Sequence, residues 1–382
     1  MKLGYITAAI LMVTSAVQAI VHPVEVRGRH FYDSVTGKPV INTRYDPLSD
    51  VNKCARDIYL FQQLGLNTIR VYSINPDLDH DKCMSLLADA GIYLVLDVNS
   101  PLDGQHLNRY EPWTTYNEKY MSHIYKVIAQ FSAFNNTLGF FGGNEVVNDY
   151  ISAKAAPVYI KAVIRDMKEF MKLSGLRKIP VGYSAADDLN FRTSLAEYLE
   201  CYAGSPDDQI DFYGVNTYQW CGQQTFYSSG YHLLVRDYDK FSKPIFFSEY
   251  GCNEVIPRSF QEVGAIYSSK MSEVFSGGLV YEFAQEANNY GLVDYDDEGN
   301  VRLLPDFYSF RKRLSEAPAP PISKSDLAVI NSKTGGTIPR RGDDSGDYKF
   351  CSTEYANLDV SKGLPKPAAK GIIRSFINLQ SL

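Results

Sequence analysis

Short β-rich runs alternate with longer helical stretches along most of this chain, and this alternation restricts the fold more than any other feature. Several of the β-rich runs are apolar on both faces, as strands buried in a parallel sheet should be. The seven runs are Asn67–Tyr72, Ile92–Val98, Leu138–Phe141, Lys178–Tyr183, Ile210–Asn216, Pro244–Ser248 and Gly278–Phe283. The helical stretches are Val51–Leu64, Asp79–Ala90, Tyr116–Phe134, Pro157–Lys172, Ser194–Glu200, Tyr227–Phe241 and Arg258–Phe275.

Strand–helix alternation of this kind predicts a parallel α/β sheet. A weak first strand over Lys38–Asn42, after the hairpin-like segment Val24–Val40, brings the number of strand–helix units to eight. Eight units close a (β/α)8 TIM barrel, which we predict over residues 20–316 with a shortened strand 1. The alternative is an open doubly wound sheet, but the Gly-rich phosphate loop that usually follows its first strand is missing from the sequence.

The two ends of the chain have a different character. Lys2, the apolar run Ile6–Val13 and the Val17-Gln18-Ala19 cleavage sequence predict that residues 1–19 are a signal peptide and that the protein is secreted. Beyond Ala317 a proline-rich break predicts a Pro/Ser/Gly-rich linker or irregular tail over residues 317–382. The final residues are only mildly apolar, so we expect no GPI anchor. No segment after the signal peptide reaches about 18 uninterrupted apolar residues, so we expect no transmembrane helix.

Six cysteines in a secreted chain predict three disulfides, with fifteen possible pairings. They are Cys54, Cys83, Cys201, Cys221, Cys252 and Cys351. A zinc site is the rival explanation, but no Cys-x-x-Cys spacing occurs, and we expect neither a metal nor a cofactor. Asn135 begins a glycosylation sequon. A net charge of −6 without a long basic run argues against nucleic acid as a partner.

Two apolar strands end in an isolated carboxylate, Glu145 and Glu249. A buried, unpaired charge is costly, but at the C-terminal end of a barrel strand it points into the active-site mouth. By the strand count these are the fourth and seventh strands, which face each other. Paired carboxylates suit glycosidic bonds, since a separation of about 5–5.5 Å gives a retaining mechanism and a wider one inversion. The alternative for each is a structural ion pair with an arginine from a neighbouring strand.

Further polar side chains follow the other strand ends. Arg70 and Tyr72, Asp97, Asn216 and Tyr218 occupy such positions, and Tyr281 and Tyr290 flank the end of the last strand. Tyrosine rings combine an apolar face with a polar edge, and sugars present both kinds of surface. Together these residues describe a tyrosine-lined polar groove that fits an extended saccharide better than a small metabolite.

Seven motifs resemble glycoside hydrolase family 72, the fungal cell-wall β-1,3-glucanosyltransferases. They are Asn67–Tyr72, Ile92–Asp97, Gly143–Val146, Ile179–Ser184, Asp211–Asn216, Tyr218–Gly222 and Phe246–Asn253, within a match over roughly residues 25–315. The resemblance implies that β-1,3-glucan is cleaved and that the glycosyl-enzyme passes to another glucan chain. It implies that Glu145 is the general acid/base and Glu249 the nucleophile. It places six residues in the glucan groove: Tyr72, Asp97, Asn144, Tyr218, Tyr281 and Tyr290.

The resemblance also implies the disulfides Cys54–Cys83, Cys201–Cys351 and Cys221–Cys252, the second of which would tether the tail. At its first strand the sequence departs from the family, in which that strand runs into a Tyr-Gln-Pro-Gly-Gly-like loop. Here Gly37–Tyr45 passes directly to Asp46. Residues 38–44 then form a shortened strand, or the variant is damaged, or the reading frame is mis-spliced. Two other functions stay open, a retaining endo-β-1,3-glucanase and an inactive glucan-binding wall protein.

Overall fold

The computed structural model describes residues 24–27, 30–33, 39–40, 46–296, 298–318, 350–373 and 376. The chain divides into two compact units, Met1–Tyr45 and Asp46–Leu382. In the first unit, β1 (Val24–Arg27), β2 (His30–Asp33) and β3 (Pro39–Val40) form an antiparallel sheet. The predicted signal peptide, residues 1–19, lies outside the described residues.

The small sheet corrects the prediction of a first barrel strand over Lys38–Asn42. Of that segment the structure describes only Pro39 and Val40, which pair antiparallel with Tyr32 and Phe31 of β2. Proline has no N–H to donate to a ladder, so a two-residue strand that starts with proline suits a sheet edge better than a barrel interior.

The second unit contains a sheet of seven parallel strands that follow one another in chain order. They are β4 (Thr68–Val71), β5 (Tyr93–Asp97), β6 (Thr137–Asn144), β7 (Val181–Ala186), β8 (Phe212–Asn216), β9 (Ile245–Tyr250) and β10 (Gly278–Val280). The two edge strands, β4 and β10, approach each other, so the ring is nearly closed. This confirms the predicted (β/α)8 class.

Helices connect the strands and cover the outside of the ring. They are α1 (Val51–Leu64), α2 (Asp81–Asp89), α3 (Pro112–Thr115), α4 (Glu118–Phe131), α5 (Tyr150–Ala155), α6 (Pro157–Leu173), α7 (Arg192–Glu200), α8 (Tyr231–Tyr238), α9 (Glu262–Ile266), α10 (Ser269–Ser272) and α11 (Pro305–Glu316). Asp50 caps the start of α1 through two backbone N–H groups, and Gly65 ends it in the left-handed conformation that favours glycine. No helix in the described part of the chain has the length and apolar character that a membrane span requires.

Several helices differ from the predicted ones, and one of these differences has a local cause. The single helix predicted over Arg258–Phe275 is instead α9 and α10, because Ser268 between them is extended. Helix α11, and the hairpin of β11 (Val293–Tyr295) and β12 (Val301–Leu303) before it, were not predicted. Few apolar residues mark α11, whose buried hydrophobic side chains are Phe307 and Phe310.

Aromatic side chains fill the inside of the barrel below the strand ends. Phe141, Phe212 and Phe246 pack together there with Val95. The Phe212 ring lies against the backbone of Gly182, where an added Cβ would meet the ring at 2.5 Å. Only glycine therefore fits at this position of β7. The packed floor leaves the polar residues above it at the C-terminal ends of the strands.

Three disulfides are present, and they join the pairs that the family resemblance implied. Cys54–Cys83 links α1 to α2, and Cys221–Cys252 links the segments after β8 and β9. Cys201–Cys351 joins the end of α7 to the C-terminal segment 350–373, which is irregular apart from a short 3-10 helix, Lys370–Ile372. In that segment the carbonyl of Pro365 accepts a hydrogen bond from Arg165 of α6 (2.8 Å), so it packs against the barrel.

Loss of the Cys201–Cys351 disulfide should destabilise the fold more than loss of Cys54–Cys83. The first closes a loop with a sequence separation of 150 and the second one of 29. Chain entropy then makes the longer crosslink worth about 1.5 kcal/mol more. Chemical denaturation of the two Cys→Ala double variants measures the difference. Equal losses, or a larger loss for Cys54–Cys83, would contradict the tethering role of Cys351.

Candidate active site

Polar side chains from all seven parallel strands or the residues directly after them gather at the C-terminal end of the ring. They are Arg70 and Tyr72 (β4), Asp97 (β5), Asn144 and Glu145 (β6), Ser184 (β7), Asn216 (β8), Ser248 and Glu249 (β9), and Tyr281 (β10). Active sites of (β/α)8 barrels form at this end.

Arg70 lies at the centre of the site, and its side chain is only 2% exposed. Its Nε and Nη2 donate to the two carboxylate oxygens of Asp97 at 2.9 and 2.8 Å. Its Nη1 donates to Glu249 Oε1 and to the Ser248 carbonyl, both at 3.2 Å. Burial opposes the charge of the guanidinium, yet the adjacent Asp97 carboxylate raises the pKa of Arg70 above its ordinary value. Arg70 is therefore a permanent buried cation beside Glu249.

Glu249 is buried, and both of its carboxylate oxygens accept hydrogen bonds. Oε1 accepts from the Tyr72 hydroxyl at 3.0 Å and from Arg70, and Oε2 accepts from the Tyr218 hydroxyl at 2.7 Å. Burial raises the pKa of Glu249, whereas Arg70 and the two tyrosine hydroxyls act in the opposite direction. The side chain is thus fixed in position, and its donors favour the ionised form that a nucleophile needs.

Glu145 occupies a more exposed position, directly after β6. Its φ is +48°, a left-handed conformation that few non-glycine residues adopt and that clusters at functional sites. The turn is held by a hydrogen bond from the Glu145 backbone N–H to the Ser184 carbonyl (2.8 Å). Its Oε1 accepts from Asn216 Nδ2 at 2.8 Å, and the side chain is half-buried. Unlike Glu249, Glu145 makes no described contact with a cationic group.

Asn216 connects the two carboxylate-bearing strands. Its amide oxygen accepts hydrogen bonds from the hydroxyls of Ser184 (3.0 Å) and Ser248 (2.7 Å). Its amide nitrogen therefore faces the opposite side, where it donates to Asn144 Oδ1 (3.0 Å) and to Glu145. In the sheet register Asn216 lies beside Glu249. The two buried serines thus orient the amide that positions Glu145.

Four tyrosines form a wall beside Glu249, made of Tyr72, Tyr218, Tyr281 and Tyr290. The rings pack edge to face, with centroids 5.2 Å apart for Tyr281 and Tyr290 and 5.6 Å apart for Tyr218 and Tyr290. Tyr72 and Tyr281 lie 6.0 Å apart. Tyr281 and Tyr290 are half-buried, so each keeps part of its surface open to a ligand. Such rings offer the apolar faces that stack on sugar rings.

The structure brings all eight sequence-predicted catalytic and groove residues to one end of the barrel. Asp97 differs from the others because its carboxylate is 5% exposed and both oxygens are occupied by Arg70. Sequence reasoning noted Arg70 and Asn216 as strand-end residues without selecting them, and it missed Ser184 and Ser248. In the sequence, Ser184 and Ser248 stand out only as polar residues within apolar strands, and this feature does not identify their hydrogen-bond partners.

The sequon and one cysteine pair are the remaining sequence-predicted features with a described position. Asn135 of the sequon is exposed between α4 and β6, and glycosylation there stays a prediction. The Cys221 and Cys252 sulfurs lie near Glu254, but these cysteines form a disulfide and offer no thiolate to a metal.

The Tyr218→Phe variant tests the hydrogen bonds around Glu249. Loss of a donor to the carboxylate should raise the pKa of Glu249 further, and a nucleophile works only above its pKa. The acid limb of activity on the glucan that the family resemblance implies should therefore move to higher pH by about 1–2 units, the equivalent of one hydrogen bond to a charged group. Tyr290→Phe is the control, since no described hydrogen bond joins Tyr290 to Glu249. An unmoved acid limb in Tyr218→Phe would refute this role of the hydroxyl.

Comparison with known proteins identifies the family. Residues 13–318 match the family described as Glucanosyltransferase, glycoside hydrolase family 72. The 1,3-beta-glucanosyltransferase GAS4 of Saccharomyces cerevisiae is 50% identical over 95% of this chain and 77% of its own length. The 1,3-beta-glucanosyltransferase gel2 of Aspergillus fumigatus is 44% identical over 86% of this chain and 71% of its own length.

Solved structures agree with the sequence comparison. An apostructure of Saccharomyces cerevisiae Gas2p aligns with a TM-score of 0.75 and 35% identity, over 91% of this chain and 73% of that one. Gas2p in complex with laminaripentaose aligns with a TM-score of 0.71 and 36% identity, over 90% of this chain and 78% of that one. On the family match and these identities, the chain belongs to the glucanosyltransferase family, glycoside hydrolase family 72.

Proposed function

We propose that this protein is a retaining β-1,3-glucanosyltransferase, with Glu249 as nucleophile and Glu145 as general acid/base. The observation that carries the proposal is the contrast between the two carboxylates. Glu249 is buried among three hydrogen-bond donors, whereas Glu145 is half-buried and accepts from one neutral amide. The first arrangement suits an anion held in place for attack, and the second suits a group that must exchange a proton.

In the first half of the reaction, a glucan chain lies against the tyrosine wall and Glu249 attacks the anomeric carbon. The glycosidic C–O bond breaks while Glu145 transfers its proton to the departing oxygen. The carboxylate of Glu249 becomes an ester and loses its charge, and Glu145 becomes the anion. Arg70 keeps its positive charge throughout because the adjacent Asp97 carboxylate balances it.

In the second half, a hydroxyl of another glucan chain takes the place of the leaving group. Glu145 accepts the proton of that hydroxyl while the hydroxyl oxygen attacks the anomeric carbon, and the ester bond to Glu249 breaks. Glu249 recovers its negative charge where Arg70, Tyr72 and Tyr218 already point at it. Because no donor must reorient, the site is preorganised for the returning charge. Water in the acceptor position would give hydrolysis instead of transfer.

Both donor and acceptor are β-1,3-glucan under this proposal. Two relatives carry the name 1,3-beta-glucanosyltransferase, and Gas2p structures hold laminari-oligosaccharides. We propose further that five of the six groove residues named above contact the glucan, and that the sixth, Asp97, acts through Arg70.

The same proposal extends to location and domain organisation. The protein would act outside the cell, at the cell wall or surface, which its three disulfides support. Residues 1–19 would be the signal peptide and residues 20–316 the catalytic domain. The remainder, 317–382, would be a tail tethered through Cys351.

A product assay with a reduced laminari-oligosaccharide tests the proposal. Longer products should appear with the wild-type protein and be absent with Glu249→Gln, and Glu145→Gln should reduce the rate by about 10²–10⁴-fold. Products that are only shorter than the substrate would make the protein an endo-β-1,3-glucanase. No turnover by a folded sample that still binds the oligosaccharide would make it a glucan-binding wall protein.

A further inference from the structure

A buried arginine outside the catalytic pair holds the backbone of the tyrosine wall. Arg258 is 2% exposed and lies in the segment that follows β9. Its Nη1 donates to the carbonyls of Tyr281 (2.6 Å) and Gly251 (3.2 Å), and its Nη2 donates to the carbonyl of Tyr290. One guanidinium therefore binds the backbone of two wall tyrosines, Tyr281 and Tyr290, and the backbone of the segment that follows Glu249.

Asp306 fixes the arginine from behind. Its Oδ2 accepts from Arg258 Nε at 2.6 Å, and its Oδ1 accepts from the Arg258 backbone N–H at 3.0 Å. Asp306 lies in the first turn of α11, where the helix dipole favours a negative charge. A buried ion pair is tolerated when its polar groups are hydrogen-bonded, and Arg258 donates to three carbonyls in addition to Asp306.

The sheet supports Tyr281 through one described hydrogen bond, from the Tyr281 backbone N–H to the Tyr250 carbonyl of β9 (2.9 Å), so the Tyr290 end of the wall depends on other contacts. The strand β10 is three residues long, has an irregular register with β9 and ends before Tyr281. Beyond it, the Tyr290 carbonyl accepts from the Glu282 backbone N–H at 3.1 Å, within the same loop. Two exposed hydrogen bonds also reach the loop from the segment after β9, from Asn253 Nδ2 to the carbonyls of Asn288 (2.9 Å) and Asn289 (3.2 Å).

We infer that Arg258, fixed by Asp306, is a positioning residue that sets Tyr281 and Tyr290 at the distance from Glu249 that a glucan chain requires. The inference rests on the proposed function, since it names a determinant of glucan binding at that same site. It predicts a specific pattern. Tyrosine contacts act on bound glucan before and during the reaction, so their displacement raises KM. The hydrogen bonds of Glu249 come from other residues, so the acid limb of the pH profile stays in place.

The Arg258→Met variant removes the donors while it keeps an apolar stem in the buried position. KM for laminaripentaose should rise between about 10-fold and 100-fold, since a displacement near 1 Å is enough for such losses. Arg258→Lys keeps the charge but offers no planar fork for three carbonyls, so it should raise KM in the same direction with a better folded yield. A smaller fraction of folded molecules lowers Vmax and leaves KM unchanged. A rise in KM therefore reports a positioning role and not a loss of folded protein.

Arg165→Met is the matched control. Arg165 of α6 also pairs with a carboxylate, Asp166 (2.8 Å), and binds a backbone carbonyl, that of Pro365 (2.8 Å). Neither partner belongs to the strand-end site, so this variant should leave KM unchanged. A lower Vmax with wild-type KM in both Arg258 variants, or an equal rise of KM in Arg165→Met, would overturn the inference.

Binding measured without turnover separates this inference from the proposed function. In the Glu249→Gln background, calorimetry with laminaripentaose should show that Arg258→Met raises the dissociation constant by the same factor as it raises KM. If the wild-type protein transfers nothing but Arg258→Met still weakens binding, the proposed function fails and the positioning role stands. If transfer occurs and binding is unchanged by Arg258→Met and Arg258→Lys, the positioning role fails alone.

Discussion

The buried Arg70 guanidinium sits below the open end of the barrel, and the arrangement of the site depends on how its charge is balanced. Asp97 occupies two of its nitrogens and Glu249 a third, across sequence separations of 27 and 179 residues. A buried charge that loses one partner is strongly destabilising. The strands that carry these residues are therefore held in one relative position, and the orientation of Glu249 follows from it. Under the proposed function, Asp97 acts on the site through Arg70, without an exposed carboxylate.

The two carboxylates differ because the fold gives them different surroundings. Burial and a fixed set of donors define Glu249, whereas a left-handed turn and a single amide define Glu145. Asn216 links them, since it lies beside Glu249 in the sheet and donates to Glu145. Two identical side chains can therefore take different roles in one reaction.

Much of this site follows from local sequence rules. Apolar runs that end in Asn-Glu and Ser-Glu identified Glu145 and Glu249, because a parallel barrel places such ends in one mouth. The tyrosines after β8 and β10 could be placed for the same reason. The roles of Arg70 and Arg258 could not, because each is defined by partners from distant parts of the chain. No periodic pattern records that Arg258 meets the carbonyls of Tyr281 and Tyr290.

The same limit explains the differences in fold. The strand predicted over Lys38–Asn42 depended on the need for an eighth unit, yet Pro39–Val40 pairs with its own hairpin. Helix α11 carries few apolar residues, and its buried Asp306 is stabilised by an arginine 48 positions away. In both cases the conformation is set by a contact with another segment of the chain, which local secondary-structure propensity does not reveal.

The most direct test of the central claim is to trap the glycosyl-enzyme. A laminari-oligosaccharide donor with fluorine at C2 and a good leaving group slows the second step more than the first, so the covalent intermediate accumulates. Mass spectrometry of the digested protein should then find the sugar on Glu249. A sugar attached to another residue, or turnover without any covalent intermediate and with inverted configuration, would contradict the account.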